Sequence, residues 1–141
     1  MTPLDLKSLI DSDPQATAML LAKDDSACAD RCSLLAPHVL RERKVTYLGL
    51  TKISFAVAAR LSVTMEQMAK TIPLIGDLIM VLQLSDGIDV SDPQTRTMLD
   101  QFAAASLPGG ITAADSAFIQ GLALVQQVVT VLDVEYVRTR L

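Results

Sequence analysis

Apolar residues recur along this chain at the spacing of α-helices, and the first three runs each follow a residue that can cap a helix. A short side-chain oxygen at that position accepts a hydrogen bond from a backbone N–H of the first turn, and proline is tolerated at the first helical position. The pattern predicts a first helix that begins at Pro3 after the cap Thr2. A second helix is predicted from Pro14 to near Lys23, with Asp13 as its cap. A third is predicted to begin at a cap formed by Asp24 or Asp25 and to run to about Leu35.

The segment VTYLGLTKISFAVAARL, residues 45–61, comes next. Helical spacing relates Leu50, Ile53, Val57 and Leu61. β-Branched residues at its start also allow a strand, and we predict a helix. Thr64 resembles the first residue of a capping box, which predicts a further short helix through Lys70.

The segment PLIGDLIMVLQL, residues 73–84, is apolar on nearly all sides of a helix. Such a helix belongs at the centre of a fold or in a subunit interface. Beyond it, Asp92 precedes a proline and predicts a helix that carries Leu99 and Phe102 and ends before LPGG.

Two matching caps open the last two predicted helices. Thr112 precedes a helix whose inner stripe is predicted to be Phe118, Leu122, Val125 and Val129. Thr130 precedes a final helix with Val134, Val137 and Leu141 on one face. Together these patterns predict an all-α fold, a compact multi-helix domain of about six to eight short helices.

Length and composition agree with a single helical domain over residues 1–141. Half of the residues are hydrophobic, but only 4% are aromatic and none is Trp. A core of Leu, Ile, Val, Ala and Met suits packed helices. We predict no membrane span, because the apolar runs are too short or are interrupted by Asp77 or by glutamines. The N-terminal segment is not a secretory signal, so we expect a cytosolic origin.

Charge is unevenly spread along the chain. Residues 1–70 carry nine Lys and Arg against eight Asp and Glu, whereas residues 71–141 carry three against eight, giving +1 and −5. The acidic half argues against broad contact with nucleic acid, whose binding depends on neutralising phosphates. The basic cluster RERK, residues 41–44, is interpreted as a solvated turn or the rim of a protein interface.

Both cysteines and the single histidine lie between residues 28 and 38. Cys28 and Cys32 are four positions apart, so on a helix they share a face with Leu35, as expected of small core residues. With His38 they make at most three ligands, and a structural zinc site needs four. We therefore predict no metal site, and no disulfide within this helical turn.

No catalytic motif is present. The chain lacks the glycine-rich phosphate loops and the G-x-S-x-G element. Asp86, Asp89 and Asp92 recur at every third position, whereas a calcium loop needs oxygens at alternate positions, so turn and cap roles are favoured. We predict a protein that is not an enzyme and that has no cofactor.

The order of short motifs LKSLIDSDP, DDSACAD, TAADSAFIQGLA and TVLDVEYVR resembles a group of small helical proteins encoded among the morphogenesis genes of tailed bacteriophages. Those proteins open with an LxxxIxxDP-like helix, continue with a short acidic-alanine helix, and close with a DVxxxR-like helix. The matching positions are Leu6, Ile10, Asp13, Pro14, Asp24, Asp25, Ala29, Asp30, Asp133, Val134 and Arg138.

The resemblance implies a structural protein of the virion, made in the bacterial host cytoplasm, that acts as a neck, tail or baseplate adaptor through contacts with other virion proteins. A homo-oligomer or ring is the expected state. The alternatives are an assembly chaperone and a small regulator that binds host protein or DNA. The predicted interface residues are Arg41, Arg43, Lys44, Val134, Val137, Arg138 and Leu141.

Overall fold

The computed structural model describes residues 1–77 and 87–141. The prediction of an all-α fold is confirmed, because helices dominate this part of the chain and each strand has only two residues. The helices of the described part include α1 (Pro3–Ser12), α2 (Pro14–Leu21), α3 (Asp25–Leu35), α4 (Tyr47–Ile53), α5 (Phe55–Ala69), α6 (Pro93–Ala104), α7 (Ala113–Gly121) and α8 (Val131–Arg140). Residues 73–77 are also helical.

The strands form two small sheets. Strand β1 (Val39–Leu40) pairs with β4 (Leu124–Val125), and β2 (Lys44–Val45) pairs antiparallel with β3 (Ile88–Asp89). In the second pair Lys44 lies opposite Asp89, and Val45 lies opposite Ile88. Gly87 has a φ of +92°, and a side chain there would meet the carbonyl oxygen of Val45 at 2.2 Å. Only glycine therefore fits next to this strand pair.

Predicted caps account for the starts of most helices. Thr2, Thr112 and Thr130 each form a capping box with an aspartate three residues later. Asp13, Asp24 and Asp92 each accept a hydrogen bond from a backbone N–H in the first turn of the helix that follows. These helix starts are confirmed, since each cap satisfies a donor that the helix itself leaves unpaired.

The chain divides into two compact units. Unit 1 contains residues Met1–Val39 and Val125–Leu141, so it combines α1, α2 and α3 with the last helix, α8. Helix α8 packs on both α1 and α3. The buried core of unit 1 consists of Leu6, Ile10, Ala16, Cys28, Ala29, Cys32, Val129, Val134 and Val137. The prediction of one domain over residues 1–141 stays a prediction.

Unit 2 contains residues Leu40–Leu124. Helix α4 packs on α5, and α6 packs on α7. Its buried core is again aliphatic apart from Phe102, and includes Leu50, Leu61, Leu99, Ile111 and Ile119. The predicted burial of Leu99 and Phe102 is confirmed.

Two predictions for the middle of the chain are wrong. The expected single helix is broken at Ser54, whose hydroxyl caps α5, and Ile53 is 46% exposed at the end of α4. Thr64 opens no helix. It lies inside α5, fully buried, where its hydroxyl donates to the carbonyl of Arg60 and accepts from the N–H of Ile111. Its polar side chain therefore links α5 to the loop before α7.

The predicted inner stripe of α7 is also wrong. Phe118 is 40% exposed, while Asp115, Ser116 and Ile119 are buried. The helix ends at Gly121, so Val125 and Val129 lie outside it. Asp115 lies on the buried side of α7, where its carboxylate forms an ion pair with Arg60 on α5.

The apolar segment 73–84 is described only in part. Ile75 is buried and Leu74 is exposed, and the prediction for residues 78–84 lies outside the described residues.

Candidate partner interface

The basic turn lies between β1 and β2 in unit 2. Arg41, Arg43 and Lys44 are exposed, as predicted for a solvated turn or an interface rim. The backbone N–H of Arg43 donates to the carboxylate of Asp89 at 3.1 Å, and the Lys44 ammonium lies 3.9 Å from Glu42. Asp89 is itself held by the backbone and hydroxyl of Ser91, whose hydrogen bonds lower the pKa of that carboxyl. The turn is therefore anchored through its backbone, and its side chains face solvent.

The last helix turns its predicted interface face inward. Val134 is fully buried and Val137 is 3% exposed, because both pack in the core of unit 1. The Arg138 guanidinium donates to both carboxylate oxygens of Asp25 on α3. Leu141 remains half exposed. Three of the four residues predicted on this helix are therefore engaged within unit 1, and the exposed side of α8 is a different one.

The exposed side of α8 carries an apolar row that the sequence analysis did not single out. Val128 is 80% exposed, Leu132 is 74% exposed and Tyr136 is 50% exposed. Residues four apart share one face of a helix, so Leu132 and Tyr136 lie side by side on α8. Val128 lies in the segment before the helix and lines the same cleft as Tyr136. The four-residue spacing of Leu132 and Tyr136 is visible in the sequence. These two residues lie on a different face of the helix from the buried Val134 and Val137.

An open cleft borders this row. Its volume is about 150 Å³, and its lining includes Pro3, Leu6, Val128, Val129, Asp133 and Tyr136. The apolar part of the lining comes from the start of α1, from the segment before α8 and from α8 itself. We name the row together with this cleft the α8 surface. Pockets of this kind accept the apolar side chains that anchor a protein partner.

The rim of the α8 surface is acidic. Hydrogen bonds from Thr130 lower the pKa of Asp133, and hydrogen bonds from Thr2 lower the pKa of Asp5. Both carboxylates are therefore charged near neutral pH, and Glu135 is exposed on the same helix. The Met1 amine lies close enough to favour the charged form of Asp5 and Asp133, and it offsets part of their charge.

A second exposed apolar feature lies where α4 meets α5 in unit 2. Leu48 is 65% exposed and shares a face of α4 with the exposed Lys52. Phe55, the first residue of α5, is 72% exposed, and Ile53 is 46% exposed. We name these four residues the α4–α5 corner. The break at Ser54, which the sequence analysis missed, is what brings this phenylalanine to the start of a helix rather than into a buried face.

The cysteine pair is buried in unit 1. Cys28 and Cys32 are free thiols with no exposed surface, and Cys28 donates to the carbonyl of Ala16 at a distance of 3.6 Å. Burial raises the pKa of both thiols, that of Cys32 to about 12, so both stay protonated at neutral pH. His38 is exposed. In residues 1–77 and 87–141, no group of three or more His, Cys, Asp or Glu side chains is arranged to hold a metal ion.

Helix α6 and helix α7 share a network of polar side chains in unit 2. Asp100 accepts from the Ser116 hydroxyl at 2.8 Å and from the Gln120 amide at 2.6 Å. Arg96 in turn donates to the backbone carbonyl of Gln120 at 3.0 Å. The buried Ser116 hydroxyl thus has the Asp100 carboxylate as its acceptor. This network joins two helices and has the character of a structural contact.

No helix in the described part of the chain combines the length and the apolar character needed to cross a membrane. Comparison of the chain with protein-family models, with curated proteins and with solved structures gives no significant match. The geometry of the chain itself therefore carries the functional argument that follows.

Proposed function

We propose that this protein is a structural subunit of a tailed-bacteriophage particle, an adaptor of the neck, tail or baseplate that acts through protein–protein contacts. The observation that supports the proposal is the α8 surface. Leu132 and Tyr136 expose apolar side chains on a helix whose opposite face is already buried, and Val128 exposes another beside a cleft just before that helix. A contiguous exposed apolar patch with a polar rim is typical of a protein interaction site.

The positions that match those of phage morphogenesis proteins belong to unit 1, whereas the motif TAADSAFIQGLA, residues 112–123, lies in unit 2. Leu6, Ile10, Ala29 and Val134 are in its core. Asp13 and Asp24 cap helices, and Asp25 binds Arg138. These positions build the framework that presents the α8 surface, so they belong to the same unit as the exposed patch.

In this proposal the partners are other virion proteins, including further copies of the chain. The protein is made in the cytoplasm of the bacterial host and ends in the virion. Apolar side chains supply the centre of the contact, and charged side chains supply its rim. No step of this function requires a nucleophile, a cofactor or a bound metal.

The proposal is tested by quantitative mass spectrometry of purified particles of the phage that encodes the chain. A structural subunit is present in a fixed ratio to the other particle proteins after gradient purification and a high-salt wash. Presence in the lysate but absence from the particles would contradict the proposal and would favour an assembly chaperone or a regulator. Steeply salt-dependent binding of the purified chain to DNA would favour the regulator.

A further inference from the structure

The α8 surface and the α4–α5 corner have opposite electrostatic surroundings. The α8 surface has the carboxylates of Asp5, Asp133 and Glu135 against the Met1 amine, a net charge of −2. Residues 46–59, which hold the α4–α5 corner, have Lys52 as their single charged residue, a net charge of +1. Opposite charge around two apolar patches favours their association over the pairing of either patch with itself.

The sizes of the two features also match. A cavity of about 150 Å³ accommodates one benzene molecule. The cleft of the α8 surface has a volume of about 150 Å³, and the α4–α5 corner offers the ring of Phe55, which is 72% exposed. Aromatic side chains that fill a pocket are frequent anchors of protein interfaces.

From this match we infer that copies of the chain bind one another head to tail, with Phe55 of one copy inserted into the cleft of the α8 surface of the next. Lys52 then lies at the acidic rim formed by Asp133 and Asp5, and Leu48 covers the exposed row. The inference rests on the proposed function and specifies one of its contacts. A contact between two different surfaces leaves each copy with one free surface, so it continues into a closed ring or an open filament.

The test uses two full-length variants, each with one of the two surfaces disabled. Phe55→Glu removes the anchor and places a carboxylate in the first turn of α5, where the helix dipole tolerates it. Val128→Arg blocks the mouth of the cleft and adds a cation that repels Lys52. Both positions are largely exposed, at 72% and 80%, so neither change disturbs a core. Circular dichroism melting curves of both variants check that the fold is retained.

Matched controls come from equally exposed leucines elsewhere. Leu74→Glu places the same carboxylate in the first turn of the helical residues 73–77, at a side chain that is 72% exposed. Leu21→Arg places the same cation at the end of α2, at a side chain that is 78% exposed. Both controls are expected to keep the wild-type association.

Sedimentation velocity of each protein alone and of a one-to-one mixture gives the result. The wild type is expected to be an oligomer, and each disabled variant a monomer of 15.1 kDa. The mixture is expected to form a two-chain complex, because one variant retains the α8 surface and the other retains the α4–α5 corner. An ionic strength of about 1 M shortens the Debye length to about 3 Å and is therefore expected to weaken the complex.

Three outcomes overturn the inference. Oligomers of either disabled variant alone would show that the altered surface is not used, and two monomeric variants that remain monomers when mixed would show that the contact is not head to tail. A monomeric wild type would exclude the contact in the free chain. If the chain is nevertheless found in purified particles, only this inference fails, whereas absence from particles removes the proposed function itself.

Discussion

Arg138 and Asp25 are 113 positions apart in the sequence, and the Arg138 guanidinium donates to the Asp25 carboxylate through Nε at 2.9 Å and Nη2 at 2.7 Å. This bidentate ion pair joins the last helix of the chain to α3, beside the buried valines of α8. The ends of the chain therefore fold together in unit 1, and the position of the α8 surface depends on that union.

Replacement of Arg138 by alanine is expected to lower the melting temperature of the chain, because the fork geometry of the guanidinium is lost and α8 is held less firmly on α3. Arg138→Lys is expected to restore the stability only in part. Arg140→Ala serves as the control, since Arg140 is exposed at the end of the same helix. A double-mutant cycle with Asp25→Ala checks the pair, and fully additive effects would contradict it.

Truncation after Val129 is expected to unfold unit 1 as well as to weaken any association. The truncated chain lacks Val134 and Val137, which pack in the same core as Cys28 and Cys32.

The reactivity of the thiols reports on this packing. In the intact chain the thiolate fraction of Cys32 is lowered about a thousandfold, because burial raises its pKa from 9.0 to about 12. Both thiols should therefore react slowly with a thiol reagent in the intact chain and rapidly in the truncated chain. Equal rates in the two proteins would contradict this packing.

Replacement of Thr64 by valine is expected to destabilise the chain by about 1–3 kcal/mol, because the buried N–H of Ile111 loses its acceptor. The Thr64 hydroxyl lies 2.8 Å from that N–H and 3.0 Å from the carbonyl of Arg60. Thr64→Ser keeps the hydroxyl and is expected to retain most of this contribution. Urea denaturation measures both variants, and a serine variant less stable than the valine variant would refute the assigned role.

Stability is expected to fall at acid pH through the Arg60–Asp115 pair. Two hydrogen bonds from the Arg60 guanidinium lower the pKa of Asp115 from 3.8 to about 2. A carboxyl whose pKa is lower in the folded chain stabilises that state above the unfolded pKa, and the contribution is lost as the pH falls from about 4 to about 2. Asp115→Asn should flatten the dependence of the free energy of unfolding on pH in this range. An unchanged slope would show that the pair does not titrate as assigned.

Local chemistry made much of this fold predictable. A capping box involves residues three positions apart, so Thr2, Thr112 and Thr130 could be identified from the sequence. The same local pattern at Thr64 failed because a tertiary partner, the backbone of Ile111, uses that hydroxyl instead. At Ser54 the apolar spacing continued across a real helix break, so periodicity concealed a cap.

The candidate interface was harder to predict, because exposure depends on contacts between distant segments. Helix α8 has apolar residues on two faces, and only its packing on α1 and α3 shows that Val134 and Val137 are buried while Leu132 is exposed. The basic turn could be recognised from the sequence because residues 41–44 are all charged, and none of them has an apolar side chain that a core would bury. Phe55 was not, since an isolated phenylalanine in an apolar run is more often part of a core.

The claim that this chain assembles through its own exposed apolar surfaces is tested most directly by the native mass of the purified wild-type protein. Size-exclusion chromatography with light scattering over a range of concentrations measures that mass without reference to any variant. The expected result is an average mass above the 15.1 kDa of one chain that falls toward this value as the protein is diluted. A mass of one chain at every concentration would contradict it.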